Sequence, residues 1–332
     1  MKAIGYHSAG SADVLVDLHV AGPVVGALDL LVAVKAVSVN PVDYKVRAFE
    51  APPTGAAKIL GWDVAGVVVD VGRDVRMFQR GDEVFYAGAM DRPGANSELH
   101  VVDERIAGPK PGTLSFEEAA ALPLTSITAW EILFDRMRID REKEGTLLVI
   151  AAAGGVGSIL VQLARQLTRL TIVGTASRKD SADYARKMGA HHVLDHRQPF
   201  IEGMRELGLP GADYVAALTT TPESLPWIID VLRPQGHVTF IDNPQIDLMP
   251  FKPKSLTISW EMMFTRSLFQ TDDLIEQHRL LKEVASLVDA GRIVTTLTRV
   301  EGPLTAANLA AAHRHLESGR SMGKTVLSAI PR

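Results

Sequence analysis

The sequence predicts an α/β chain of two domains, one rich in strands and one built as a doubly wound parallel sheet. Three observations carry that expectation. The 332 residues are too many for one ordinary hydrophobic core. The first third reads as short strands and turns. After about Pro123, apolar strand-like runs alternate with amphipathic helical patterns, the mark of βαβ units and a parallel sheet.

Composition narrows the class. Hydrophobic residues at 46% and charged residues at 22% are the proportions of a soluble globular enzyme. A net charge of -4, with no basic run, argues against a nucleic-acid or membrane-surface role. The absence of cysteine excludes disulfides, thiolate zinc sites and a cysteine nucleophile together. The start "MKAIGYHSAG" has no apolar h-region. The most apolar stretch, Thr146 to Val161, is split by Gly154, Gly155 and Gly157, as a buried strand and turn would be. The expectation is a cytoplasmic protein.

In the strand-rich part, "DLLVAVKAVSVN" mixes alternation with short apolar runs, as expected where some strands are half buried and others fully. Gly66, Gly72 and Gly81 punctuate it. "GANSELHV" reads as a turn into a strand, with Ser97 and Glu98 in structural places. The alternating part holds "TLLVIAAA", "LTIVGTA", "HHVLDH", "ADYVAAL", "GHVTFID" and "LTISWEMM". Next comes a long helical segment, "DDLIEQHRLLKEVASLVDAG", with Gly291 as its C-cap. A strand-like "VTTLTRV", a helix opening near Pro303 and the strand "GKTVLSA" follow. The chain has no internal repeat.

The strongest chemical signal is "TLLVIAAAGGVGSILVQLARQL", a buried strand running into a glycine turn and then a helix. Val156, Ile159, Leu160, Leu163, Ala164 and Leu167 share one face of that helix. The turn reads A-x-G-x-x-G at Ala152, Gly154 and Gly157, a dinucleotide fingerprint with alanine in its first place. Gly154 lets backbone approach a pyrophosphate, Gly157 lets helix pack on strand, and the helix N-terminus offers amides and a positive dipole end. Gly154, Gly155, Val156 and Gly157 are therefore the candidate phosphate cradle. At the end of the next strand an NAD enzyme usually carries an acidic residue for the ribose. This chain has Ser177, Arg178 and Lys179, a hydroxyl and cations suited to a 2′-phosphate, so NADP(H) is favoured. Asp180 follows and could begin a helix. Asp242 and Asn243, after "GHVTFID", fall at a strand's C-terminal end, where they could line the cofactor crevice.

The chain resembles the quinone oxidoreductase branch of the medium-chain dehydrogenase/reductase superfamily, and within it the group called zinc-type alcohol dehydrogenase-like proteins. The motifs that carry the likeness run along the whole chain: "NPVDYK", "GWDVAGVVVDVG", "GDEVFYAG", "LPLTSITAWE", "AAAGGVG", "SWEMMFTRSLFQTDD" and the end "GKTVL". The resemblance implies a GroES-like catalytic domain at residues 1–123 and 267–332 and an NADPH-binding Rossmann domain at 124–266. It also implies a homodimer with Rossmann sheets joined edge to edge. In the metal enzymes of this family three ligands hold catalytic zinc, at places where this sequence has Asn40, Trp62 and Leu124. Catalytic zinc needs three protein ligands, and these residues supply none, so no metal is expected.

Without a Lewis acid an alkoxide has no obvious stabiliser, whereas a quinone or an α,β-unsaturated carbonyl spreads the incoming charge as phenolate or enolate. The expected activity is zinc-independent, NADPH-dependent hydride transfer to such acceptors. A non-catalytic NADPH-binding sensor and a zinc alcohol dehydrogenase are the alternatives. For catalysis the candidates are Asn40, Lys45, Trp62 and Thr128. Asn40 could donate an amide hydrogen bond to substrate oxygen or to a carboxamide. Lys45 either aids enolate protonation or is simply solvated, and Asp43 orders its loop rather than transferring a proton. Trp62 is either a pocket wall or a packed core residue. Thr128 matches the position that contacts the nicotinamide side of the cofactor in the family, or caps a helix. His196, at the end of the third strand, either contacts the 2′-phosphate or has no ligand.

Overall fold

The computed structural model describes residues 1–331. The chain forms two compact units, Met1–Ile127 with the chain from Phe264 onward, and Thr128–Met263. In the first unit the strands are β1 (Lys2–Tyr6), β2 (Val16–His19), β3 (Asp29–Ser38), β4 (Lys58–Ile59), β5 (Val64–Val71), β6 (Glu83–Tyr86), β7 (Leu99–Asp103) and β8 (Ala107–Pro109). Helices α1 (Pro41–Phe49), α2 (Phe116–Ala120) and α3 (Pro123–Trp130) interrupt or follow them. β1 forms a small antiparallel sheet with β2 and β4. β3 is the spine of the larger sheet. Its ten residues pair antiparallel with β5 along nearly their whole length and with β7 along Asp29–Ala33. Its buried and half-exposed positions mix as the sequence suggests: Leu30, Val32, Ala36 and Val37 are fully buried, whereas Lys35 is exposed. Phe85, Tyr86, Leu60 and Trp62 add bulk to that core.

The second unit holds β9 (Thr146–Ile150), β10 (Thr171–Thr175), β11 (His192–Leu194), β12 (Ala212–Ala217), β13 (Leu232–Phe240) and β14 (Thr257–Trp260). Between them lie α4 (Gly155–Leu167), α5 (Lys179–Lys187), α6 (Phe200–Glu206) and α7 (Ser224–Val231). The sheet order is β11-β10-β9-β12-β13-β14 with every pairing parallel. That is the doubly wound order of dinucleotide-binding sheets, whose crevice opens at the C-terminal strand ends beside the central strand. β9 is buried at all five positions. Leu148, Val215, Val238, Phe200 and Phe240 belong to one apolar cluster packed on the sheet.

α4 differs from the one-faced helix its spacing suggests. Residues 157–164 are all buried, while Val156 and Leu167 are only half buried. The reason is a second cover: the turn at Gly189 lies against Val161, so the flank away from the hydrophobic stripe is buried too. The structure also adds a feature with no sequence signature, a π-helical turn over Glu131–Arg136 that prolongs α3. Its wider winding is seen in the bond from Met137 N–H to Ile132 O, five residues back.

The returning segment carries α8 (Thr265–Phe269), α9 (Glu276–Asp289), β15 (Leu297–Pro303), α10 (Ala306–Glu317) and β16 (Lys324–Ser328). Gly291, at φ +68°, takes the left-handed turn that ends α9. β16 pairs antiparallel with β3 at Ala36–Ser38, on the edge that β7 leaves open, and β15 completes the sheet. This register carries Lys324 to the end of β3.

Candidate active site

The candidate cofactor cradle is built where β9 ends. Ala151 turns through φ 58°, a left-handed conformation, and its N–H donates to Thr175 Oγ1 at 3.0 Å. Gly154 is the N-cap of α4, and its N–H closes the turn on Ala151 O at 2.9 Å. The first intrahelical bond comes from Ser158 N–H to Gly154 O, which leaves the amides of Gly155, Val156 and Gly157 at the helix mouth. A β-carbon on Gly157 would lie 2.4 Å from Ala151 O and 2.7 Å from Ala152 Cα, so only glycine lets the helix sit this close to its turn. The alanine in the first fingerprint place is accommodated from outside the motif. Its methyl lies 2.7 Å from where Gly174, on neighbouring β10, would carry a β-carbon.

Beyond β10, Ser177 is half buried and Arg178 and Lys179 are exposed. Arg178 opens α5, where its N–H meets Ser181 Oγ at 3.3 Å, and its Nε meets Asp180 Oδ1 at 3.3 Å. Lys179 pairs with Asp183 at 2.6 Å along the helix. His196 is exposed. Its neighbour Arg197, which sequence reasoning missed, donates to Ser177 O and to Asp195 Oδ2 at 2.8 Å. That guanidinium holds the Asp195 carboxyl down at about 2. The signal for Arg197 lay beside His196 in the chain, but only the parallel pairing of β10 and β11 brings it to Ser177. Asp242 accepts the Thr220 N–H at 2.6 Å and so joins the loops after β12 and β13. Asp242 Oδ1 and Thr220 Oγ1 are buried without hydrogen-bond partners. Asn243 is exposed.

In the first unit a second polar centre surrounds Asn40. Asn40 begins α1 and is only 2% exposed. Its Nδ2 donates to Asp63 Oδ2 at 2.9 Å and its Oδ1 accepts from Lys324 Nζ. Lys324 Nζ also donates to Val39 O at 3.0 Å and Asp63 Oδ2 at 2.9 Å. Asp63 further accepts from Ser38 Oγ at 2.7 Å and, through Oδ1, from Leu124 N–H at 2.8 Å. Neither Asp63 nor Lys324 stood among the sequence candidates. Both lie in quoted motifs, yet they are 261 positions apart and only the β3–β16 register joins them. Asp43 does order its loop. Its carboxyl accepts Asn40 N–H at 2.7 Å and Gly61 N–H at 3.1 Å. Burial pushes that carboxyl up to about 7, against the pull of the two amides and the Lys324 charge. Gly61 reaches it at φ +109°, a backbone conformation suited to glycine.

The remaining candidates are dispersed. Lys45 lies on the exposed side of α1, the solvated alternative. Trp62 is 2% exposed, with Nε1–H donating to Ala89 O at 3.2 Å and its ring edge-on to Phe264 at 6.0 Å, the packed alternative. Thr128 is buried in α3. A further unforeseen group lies on the π-turn: Glu131 and Glu261 are both buried, with Arg136 Nε bonded to Glu261 Oε2 at 2.7 Å. Burial, then the Glu131 charge, pushes the Glu261 carboxyl up to about 9.

A parallel sheet in this order, with a glycine turn opening the helix after its central strand, is the architecture with which oxidoreductases bind a nicotinamide dinucleotide. A model described as "Alcohol dehydrogenase GroES-like domain" matches residues 26–128, and one described as "Zinc-binding dehydrogenase" matches 188–327. The chain is 40% identical over 306 residues, 90% of each chain, to a zinc-type alcohol dehydrogenase-like protein of Staphylococcus aureus. It is 30% identical over 345 residues, covering 100% of this chain and 80% of the other, to a 2-methylene-furan-3-one reductase of Solanum lycopersicum. Escherichia coli quinone oxidoreductase, solved with NADPH, is similar at TM-score 0.85 and 27% identity over 100% of both chains. The chain belongs to the medium-chain dehydrogenase/reductase superfamily, in its quinone oxidoreductase branch.

The family name brings two groups to test against the residues. The nicotinamide dinucleotide fits: a side-chain-free cradle at Gly157, helix-mouth amides, and unpartnered polar atoms on Thr220 and Asp242 all offer it contacts. Catalytic zinc does not fit. The Trp62 indole only donates, Leu124 has no donor side chain, and the Asn40 carboxamide is held by Asp63 and Lys324. Asp63, the nearby carboxylate, is already neutralised by the Lys324 ammonium. Among the described residues no group of three or more histidines or carboxylates could hold a metal ion.

Proposed function

We propose that this chain is a zinc-independent, NADPH-dependent reductase of quinones or α,β-unsaturated carbonyls. The observation that carries the reading is the Asn40–Asp63–Lys324 network, in which Asn40, at a place where the resemblance puts a metal ligand, is held by a carboxylate and an ammonium. The tomato reductase and the NADPH-bound bacterial quinone oxidoreductase support the same reaction class. When bound, the dinucleotide supplies hydride. The chain's own part is to bind its phosphates at Gly154–Gly157, to grip a 2′-phosphate with Ser177, Arg178, Lys179 and Arg197, and to donate from Asn40 Nδ2 to a carbonyl oxygen gaining negative charge. Thr128, His196, Asp242 and Asn243 complete the candidate cofactor contacts, and no proton donor is assigned to exposed Lys45 or buried Trp62.

The chain acts on small molecules as a cytoplasmic homodimer joined through β14, the last strand of its sheet. Trp260 and Met262 are 49% and 47% exposed there. Among the described residues no helix is long and apolar enough to cross a membrane.

The test is oxidation of NADPH, followed by absorbance after chelator treatment, with quinones, cyclic enones, alkenals and simple aldehydes as acceptors. Turnover with the conjugated acceptors and not with simple aldehydes is expected. Activity on simple aldehydes or alcohols that chelation abolishes would instead mark a zinc dehydrogenase. NADPH binding without any turnover would mark a sensor.

A further inference from the structure

We propose that Lys324 is a positioning residue that fixes which end of the Asn40 carboxamide can meet a ligand. Lys324 Nζ has three protons and three buried acceptors, Val39 O, Asn40 Oδ1 and Asp63 Oδ2. Asp63 in turn accepts from Asn40 Nδ2 at 2.9 Å. The amide is thus set between an ammonium and a carboxylate, oxygen towards the first and nitrogen towards the second. Turning it over would set N–H against the ammonium and oxygen against the carboxylate, two repulsions in a site where Asn40, Asp63 and Lys324 are all at most 3% exposed.

Asn40 Oδ1 faces Lys324, and Asn40 Nδ2 spends one of its two protons on Asp63, which leaves a second N–H for the carbonyl oxygen of the proposed reaction. In this orientation Asn40 Oδ1 is turned to the ammonium, and the Nδ2 end is the one that the proposed reaction uses. A donor stabilises an oxygen that becomes phenolate or enolate, whereas an amide oxygen would repel it. The role assigned to Lys324 rests on the reductase reading and adds to it. Ser38 Oγ donates to the same Asp63 Oδ2 and Leu124 N–H to its other oxygen, so the carboxylate is held in place beside the amide.

Two variants separate this role from plain support of the fold. Lys324→Gln keeps an N–H for Asn40 Oδ1 and removes the charge. Lys324→Met with Asp63→Asn removes the ammonium and, with the new amide's oxygen kept by Leu124 N–H, turns its NH2 towards Asn40, which favours the turned-over amide while leaving no lone buried charge. Thermal unfolding and NADPH affinity check that each variant is folded. The expected result is a kcat within several-fold of the unaltered protein for Lys324→Gln, and a loss of about tenfold or more for the double variant, with KM and NADPH affinity nearly unchanged. Equal kcat losses in the two, or none in the double variant, would overturn the proposal. The side-chain amide resonances of Asn40, assigned by their disappearance in Asn40→Asp, provide a readout independent of turnover. They should move strongly in the double variant and little in Lys324→Gln, so a protein with no reductase activity still tests the orientation. Unmoved resonances in the double variant would refute it.

Discussion

At the scale of single residues, charges beside the chain's strand ends carry the proposed preference for NADPH. No carboxylate stands at Ala176 or Ser177, and Arg178, Lys179 and Arg197 gather there, each tied to a nearby aspartate. Arg178→Ala should weaken NADPH about tenfold and leave NADH nearly unchanged, a difference of about 1.4 kcal/mol that fluorescence titration can read. Equal losses for both would remove the 2′-phosphate assignment. Glu261 supports a second prediction. Its carboxyl is raised from the ordinary 4.5 to about 9, so the folded state keeps a proton that the unfolded chain releases between those values. Stability linked to that proton is present in acid and is lost as pH rises through the window. Glu261→Gln does not titrate, so its melting temperature should gain on the unaltered protein by about 2 °C or more between pH 5 and pH 8. A constant difference across that range would show that Glu261 is already ionised in the folded protein.

At the scale of elements, the β9–α4 turn was the most legible part of the chain. A buried strand, a glycine turn and a helix follow each other in one short stretch, so spacing alone locates the cradle. What spacing could not supply was the burial of α4 on its second flank, which depends on the distant turn at Gly189. It also could not supply the place Gly174 makes for the Ala152 methyl. The contact distances at Gly157 make a direct prediction. Gly157→Val should lift α4 from its turn, lowering the melting temperature by several degrees, about 2 kcal/mol of strain, and abolishing dinucleotide binding. Retained binding in calorimetry would mean the helix mouth does not carry the phosphates. The π-turn after α3 was illegible for a related reason. Its wider winding brings no residue pattern of its own, and its buried Glu131 has a counterpart, Glu261, 130 positions away, at the end of β14.

At the scale of the whole molecule, β14 ends its sheet with a free edge beside exposed Trp260 and Met262. An edge of this kind invites pairing with another copy. Light scattering should find a dimer, and Trp260→Lys with Met262→Lys should shift it to monomer without loss of secondary structure. A monomer in the unaltered protein would remove that assembly. The sequence by itself determined the fold class, the order of elements, the glycine cradle and the absence of metal-ligating side chains at Asn40, Trp62 and Leu124. Those properties are local: they follow from residue type, from periodicity and from spacing within a short stretch. Tertiary structure alone decided that Trp62 is packed in the core and that Lys45 is left in solvent. It alone joined Asn40 to Lys324, Arg197 to Ser177 and Glu131 to Glu261. Such pairs are set by strand register and by the path of the returning chain, which brings residues together irrespective of their distance in sequence. A short window of sequence carries no record of that path, and a buried charge reveals its partner only once both have left water.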